Sequence, residues 1–507
     1  MSWRTELIPI SFTKEADTLT CGLTMSDQPN ILLITVDHWP GHLLGAAGHP
    51  AVQTPTLDQL ARCGVRFRRA YTECPVCIPA RRTLLTGTAP RTHGDRSFQT
   101  ELPLPNVPTI ADAFRTGGYQ TFAVGKLHVY PPRARAGFDD VQLCEEGRPQ
   151  YGPTDDYEIY LGEQGLVGQQ FLHGMSNNDY VWRPWHLAEQ HHVTNWTSRE
   201  MARMIQRRDP TRPAFWYLSY THPHPPLVPP QYCLDLYRDV EPGEPLRSSW
   251  PRDPNAMPSR MNNRLIDSEH YSASFIRATR RAFYALCTHI DHQLRIVIGT
   301  LREEGLLDNT VMMFLADHGD MLGDHGLWAK RLFYEGSACV PMILAGRAGD
   351  RRVGSGKIDN RLVGLQDVMP TLLDLAGLPI PDSVDGLSMV AASQRDWLYG
   401  EYGEQTEATR MIHDGRYKMI YYAAGNRRQL FDLETDPQEM TDLIDAADHQ
   451  AVRRRLTERL QGELYGSDLD WIRGDQFVGL PDEPNDEAPD RTLSLQRGRH
   501  WPVPPQG

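Results

Sequence analysis

The chain contains no uninterrupted apolar run of the roughly 18 residues that a membrane-spanning helix needs, which excludes such a helix. Export is not expected. Residues 1–24 hold no apolar stretch followed by a small-residue cleavage site, so a cytoplasmic location is expected. Cysteine is scarce: eight in 507 residues cannot build a disulfide scaffold, which points to a reducing compartment. Cys74 and Cys77 make one CxxC with no second pair to complete a four-ligand zinc site, and Pro79 interrupts the local pattern. Positive charge is in deficit. A net charge of -13 without a basic stripe argues against nucleic acid as a partner, and the short arginine clusters at 66–69 and 81–82 read as solvated surface.

What remains is a chain too long for one hydrophobic core, so two domains with one dominant are expected. Met25 precedes Ser-Asp-Gln-Pro-Asn and an apolar run, which makes residues 1–24 a loose tail. The dominant domain is assigned to 25–380 and a smaller one to 381–480. Residues 481–507 form a Pro-rich tail without periodicity, either disordered or an arm that embraces a second copy in a homo-oligomer.

Within the large domain, short apolar runs end abruptly in ionisable residues. Ile31 to Val36 stops at Asp37 and His38, and Gln120 to Val124 at Gly125, Lys126, Leu127 and His128. Ala214 to Tyr220 is followed by Thr221, His222, Pro223 and His224, and Val311 to Leu315 by Asp317, His318, Gly319 and Asp320. Continuous β-branched runs predict strands of a parallel sheet buried on both faces, and chemistry in such sheets gathers at the strands' carboxyl ends. Two Asp-His pairs at two strand ends offer oxygen and imidazole ligands for a hard divalent cation such as calcium, magnesium or manganese. Prolines flanking His224 predict an extended loop that aims its imidazole.

Helices are predicted from Thr54 or Thr56 as cap, over a long segment carrying Tyr284, Cys287, Ile290, Leu294, Val297 and Leu301, and from Asp367 to Leu378, ending at Gly377. Residues 130–210 and 229–268 show little periodicity and read as long insertions that build a substrate pocket or an oligomer contact. Beyond Pro381, strand-like runs at 396–402, 410–412, 417–422 and 429–433 predict a small antiparallel sheet, closed by a helix over 451–465.

The stretch Cys77 to Gly87 (Cys-Ile-Pro-Ala-Arg-Arg-Thr-Leu-Leu-Thr-Gly) sets a cysteine four residues before Arg81, with a helix expected just after Pro79. A fixed guanidinium and a helix N-terminus favour an anion or an ionised nucleophile.

Together these residues resemble the formylglycine-dependent sulfatase family of the alkaline phosphatase superfamily. Cys77, Pro79 and Arg81 fit its CxPxR signature, continued by Leu85 and Gly87. Gly125, Lys126 and His128 fit GKxH, and Pro223, His224 and Pro226 fit PHxP. Asp317, His318 and Gly319 fit DHG, Lys330 and Glu335 fit KxxxxE, and Phe431 to Glu439 resemble the C-terminal signature. The run from Ser219 to His224 resembles the branch containing choline sulfatases and phosphonate monoester hydrolases. Three positions depart from the pattern: His38 stands where the family usually has Asp, Gln or Asn, Ala80 replaces a frequent serine, and Phe98 stands where many relatives have Asn.

The resemblance implies an α/β fold, an alkaline-phosphatase-like, large, mixed but mainly parallel sheet sandwiched by helices, with a smaller C-terminal α+β domain. It implies that a formylglycine-generating enzyme oxidises Cys77, and that one hydroxyl of the hydrated aldehyde attacks sulfur or phosphorus while the other expels the inorganic product. Asp37, Asp317, His318 and residue 77 would bind one divalent cation, calcium or manganese ahead of magnesium, with His38 adding a ligand or a contact behind the ligands. Arg81 would stabilise the nucleophile, His128 would be the base for collapse with Lys126 orienting it, and His224 and Lys330 would bind sulfate and protonate the leaving oxygen. The expected activity is hydrolysis of a small sulfate ester, with phosphonate monoesters or phosphodiesters as the alternative. A binding protein without turnover is disfavoured by the intact machinery.

Overall fold

The computed structural model describes residues 28–483, apart from 148–153, 176, 179, 254, 260 and 262–271. The expected tail at 1–24, and the expected C-terminal arm beyond 483, lie outside the described residues.

An eight-stranded sheet is built from β1 (Asn30–Val36), β2 (Val65–Tyr71), β3 (Gln120–Gly125), β4 (Asp140–Leu143), β5 (Ala214–Ser219), β6 (Thr310–Ala316), β7 (Met342–Ala345) and β8 (Lys357–Gly364). Their order is β4-β3-β5-β1-β6-β7-β2-β8, and only β7 runs against the rest. The four strands whose polar ends stood out in the sequence, β3, β5, β1 and β6, are therefore consecutive neighbours. Side chains of both parities on β1, from Ile31 to Ile34, have no exposed surface, because helices cover both faces.

Two helix groups provide that cover. Pro55–Cys63, Val193–Gln206 and Ala273–Glu303 pack together, as do Cys77–Thr86, Ile110–Thr116 and Val368–Ala376. The long helix spans 31 residues, and Val368–Ala376 ends at Gly377 in the left-handed region (φ 70°), as the glycine predicted. Thr54 occupies a cap position without capping. Instead the Asp291 carboxylate accepts from the first-turn amides of Thr56 and Leu57 at 3.0 and 2.8 Å.

The stretch 130–210, predicted to be aperiodic, contains β4 and the helices Asp156–Glu163 and Val193–Gln206. The second of these hides from a periodicity search because its buried face includes Thr194, Thr197 and Ser198. The hydroxyls of Thr197 and Ser198 donate back to the carbonyls of Val193 and Thr194 at 2.8 and 3.0 Å. Strand β8 was equally hidden, since the first half of this edge strand is solvent-facing and polar.

β9 (Leu398–Tyr402), β10 (Thr409–His413), β11 (Tyr417–Tyr422) and β12 (Arg427–Asp432) form the expected second sheet, antiparallel and ordered β12-β11-β10-β9. The helix Gln450–Glu463 closes one side through Leu456 and Leu460. On the other side Met411, Ile420 and Phe431 join Tyr71, Trp250, Phe333 and Tyr334 in a core shared with the large sheet.

Candidate active site

Three backbone devices aim the site. First, the helix carrying Cys77 begins at Cys77 itself, not after Pro79 as predicted. First-turn amides have no intrahelical carbonyl, so a proline fits there, and the first amide to bond back is that of Ala80, to Val76 O at 3.1 Å. Residue 77 thus sits at the positive end of the helix. Second, β3 meets β5 so closely that a Cβ on Gly125, whose φ is 108°, would lie 1.8 Å from the Ser219 carbonyl oxygen. That approach turns Lys126 under the ends of β1 and β5. Third, His38 and His128 both adopt positive φ, at 65° and 54°, which swings their imidazoles across the strand ends.

The structure buries all the predicted residues, none of Asp37, His38, Cys77, Arg81, Lys126, His128, His224, Asp317, His318 and Lys330 being more than 7% exposed. Direct contacts link those other than His128, which meets Glu145. Donor atoms of Asp37, Cys77, Asp317 and His318 lie within 4.8 Å of one another, and those of Asp37, His38, Cys77 and His224 form a second such group. Cys77 Sγ is 3.2 Å from His318 Nε2, 3.7 Å from Asp37 Oδ1 and 3.1 Å from Lys330 Nζ. His318 Nδ1 lies 2.9 Å from the Gly319 carbonyl, so the ring donates there and turns the Nε2 lone pair inward. Two carboxylates and an imidazole facing residue 77 fit a hard divalent cation.

Arg81 is the scaffold of this group. Its Nε donates to Asp317 at 2.9 Å, its Nη1 to the Lys126 carbonyl at 2.9 Å and to Ser219 Oγ at 2.8 Å, and its Nη2 lies 3.5 Å from Asp37. The fork therefore ties together the ends of β3, β5, β1 and β6. Burial opposes the Asp37 charge, but Lys126, with His224, His38 and Lys330, more than offsets it and holds the carboxyl well below the usual range. Burial and Asp37 likewise oppose ionisation at Cys77, yet Lys126, Lys330 and His318 outweigh them and lower the thiol's pKa. Burial disfavours protonation of His318, but Asp317 and Cys77 raise its pKa.

The contacts of Lys126 differ from the role expected for it. Its ammonium bonds Asp37 and Glu146, while the carboxylate beside His128 is that of Glu145, whose Oε1 accepts from the His128 amide at 3.0 Å and whose Oε2 lies 3.6 Å from His128 Nε2. Glu145, Glu146 and Tyr180 were not picked out from the sequence, and Ser219 and Asp320 stood there only as members of strand-end runs, without a role. Lone carboxylates and hydroxyls carry no motif, and only the adjacency of Glu145-Glu146 to the β4 terminus hinted at them. A cavity of about 70 Å³ opens beside His224 and Glu146, walled by Tyr157, Phe171, Trp185 and Val228. Its lining comes from residues 144–193 and 221–228, so the stretch 130–210 does wall a pocket.

The chain belongs to the sulfatase family, whose profile matches residues 29–378, and it is accordingly a sulfuric ester hydrolase by class. The profile of the N-sulphoglucosamine sulphohydrolase C-terminal region matches residues 323–464. Among its relatives are an arylsulfatase of Clostridium perfringens, 34% identical over 90% of this chain and 98% of that protein, and a choline-sulfatase of Rhizobium meliloti, 31% identical over 82% of this chain and 83% of that protein. The phosphonate monoester hydrolase of Agrobacterium radiobacter superposes with a TM-score of 0.74 at 25% identity, covering 88% of this chain and 97% of the other. The alkaline-phosphatase-like fold with its antiparallel C-terminal sheet is thus the one expected. Among the described residues, no helix is long and apolar enough to cross a membrane.

Proposed function

We propose that the chain hydrolyses small sulfate monoesters through a formylglycine made from Cys77 by a formylglycine-generating enzyme, with one divalent cation, calcium or manganese ahead of magnesium. The observation that carries this reading is the convergence of Cys77, Asp37, Asp317 and His318 on one buried point, with Arg81 and Lys126 behind it. The cation would polarise the sulfate and favour an ionised hydroxyl on residue 77. Asp37, Asp317, His318 and residue 77 would hold it, with His38 adding a ligand or a contact behind the ligands.

The protein's own groups do the rest. Arg81 keeps the two carboxylates apart from each other's charge and fixed in orientation. Lys330 and His224, with Lys330 Nζ 3.3 Å from His224 Nε2 and 3.1 Å from Cys77 Sγ, would bind sulfate oxygens and deliver a proton to the leaving oxygen. His128, backed by Glu145, takes the proton that lets the inorganic product depart. The cavity beside His224 gives the alcohol its place.

A second reading, hydrolysis of phosphonate monoesters or phosphodiesters by the same machinery, is favoured by the superposition on a phosphonate monoester hydrolase. Rates measured side by side on an aryl sulfate and an aryl phosphonate monoester separate the two, with the sulfate expected to be faster. Mass spectrometry of the tryptic peptide spanning residue 77 is expected to show the aldehyde. A persistent thiol in active protein would sink the formylglycine scheme.

A further inference from the structure

Lys330 approaches residue 77 through a set of contacts that leads away from the cation cluster. Its ammonium bonds His38 Nε2, lies 3.1 Å from Cys77 Sγ and 3.3 Å from His224 Nε2. An ammonium has donors only, so both imidazoles must present lone pairs at Nε2 and carry their protons at Nδ1. The partners on the far side of each ring agree. His224 Nδ1 faces the Pro225 carbonyl at 2.6 Å, and His38 Nδ1 faces Asp320 Oδ2 at 2.8 Å. Asp320 is itself fully engaged: its Oδ2 also accepts from the Tyr180 hydroxyl, and its Oδ1 from the Leu322 amide at 2.9 Å. Tyr180, Asp320 and His38 are all buried.

We infer that His38 is the acceptor that positions Lys330 on residue 77, held by Asp320 and Tyr180, and is not a ligand of the cation. A single Nε2 lone pair cannot serve both an ammonium and a metal ion. His38 shares Asp37 and Cys77 with the cation cluster, and its Nε2 lies 3.7 Å from Asp37 Oδ1, but the lone pair it would need for the cation is the one turned to Lys330. In this chain the histidine at position 38 thus extends the substrate-side apparatus, and Asp320, Tyr180 and His38 are positioning residues acting through Lys330. The inference rests on the role proposed above for Lys330.

The test uses full-length protein and manganese alone as the probe, titrated into metal-free enzyme and followed by the EPR signal of free Mn(II). Asp317→Asn serves as the ligand control. His38→Ala is expected to bind manganese within about threefold of the parent, whereas Asp317→Asn loses at least about 30-fold, at the scale on which metal sites respond to their supporting groups. In turnover of aryl sulfates, His38→Ala is expected to lose about 100-fold in kcat, the cost of a misplaced catalytic group, and most for poor leaving groups. His38→Gln, whose amide oxygen can accept from Lys330, should restore about tenfold of that loss, and Asp320→Asn should lose about tenfold alone and nothing further in the His38→Ala background. Two results would overturn the inference: loss of manganese in His38→Ala as large as in Asp317→Asn, or an Asp320→Asn effect that persists undiminished without His38. If His38→Ala does not fold, the same titration on His38→Gln decides. Failure of the parent enzyme on every ester would defeat the hydrolase reading while leaving the manganese result for His38 intact.

Discussion

Among single side chains, Cys77 is small and yet meets three groups of the site. It touches His318, Asp37 and Lys330 but fills little space, so its replacement separates chemistry from folding. Cys77→Ala is expected to lower kcat by about 10⁴-fold or more while leaving thermal stability within about 1 kcal/mol, checked by turnover and by a melting curve on the same preparation. Unchanged hydrolysis would rule the scheme out. The carboxylates beside it, Asp37 and Asp317, are buried and face the same point. Exhaustive chelation is therefore expected to abolish activity, with manganese or calcium restoring it best. An enzyme indifferent to metal removal would contradict the ligand set.

Among the elements, the site depends on how closely β3 runs against β5. Gly125 allows that approach, and Lys126 reaches Asp37 and Glu146 only because the chain turns at this point. Gly125→Ala would press a methyl group into the Ser219 carbonyl at a positive φ, so the two strand ends must part. A destabilisation of about 2–3 kcal/mol is expected, read from denaturant midpoints, together with a fall in kcat larger than the stability loss explains. A variant as active and stable as the parent would show that the two strand ends have room to spare.

Across the molecule, the two sheets are tied by buried charge as well as by apolar contact. Lys418 of β11 bridges Glu335 and Glu439 at 2.6 and 2.7 Å, and Tyr71 of β2 donates to Glu335 at 3.0 Å. The segment after β2 also carries Glu73, whose carbonyl accepts from the Glu401 amide of β9 at 2.8 Å and whose Oε1 accepts from the Gln366 amide at 3.2 Å. Burial and the nearby Asp367, only partly countered by Arg395, push the Glu73 carboxyl up to about 7. A carboxyl with a raised folded pKa contributes stability that is complete below its unfolded value near 4.5 and is lost as pH rises through about 7. Between pH 5 and 8 this group is expected to cost the parent about 2.5 kcal/mol, most of it below pH 7 at up to roughly 1.4 kcal/mol per pH unit, a loss that Glu73→Gln avoids. Melting curves of the two proteins across that range check it, and parallel curves would contradict a protonated Glu73.

The parallel strands and their reactive ends were legible in the residues alone, because a strand buried on both faces must be apolar throughout and its end is marked where Asp37, Lys126 or Asp317 breaks the run. The helix stop at Gly377 was equally local. By contrast, the helix Val193–Gln206 was masked by buried hydroxyls that satisfy themselves within the helix, and β8 by its exposed edge. The partners of the site were hidden for a different reason. His38 and Asp320 are 282 positions apart, and Lys330 and Cys77 are 253 apart. A carboxylate such as Asp320 or Glu146 has no distinguishing pattern until the order β3-β5-β1-β6 sets four strand ends side by side. Local chemistry thus singled out the candidate nucleophile, the ligand types and the candidate bases, since each is written in a short motif. Which imidazole meets which lysine was decided only by tertiary packing, because hydrogen bonds are selected by distance in space and not by distance along the chain.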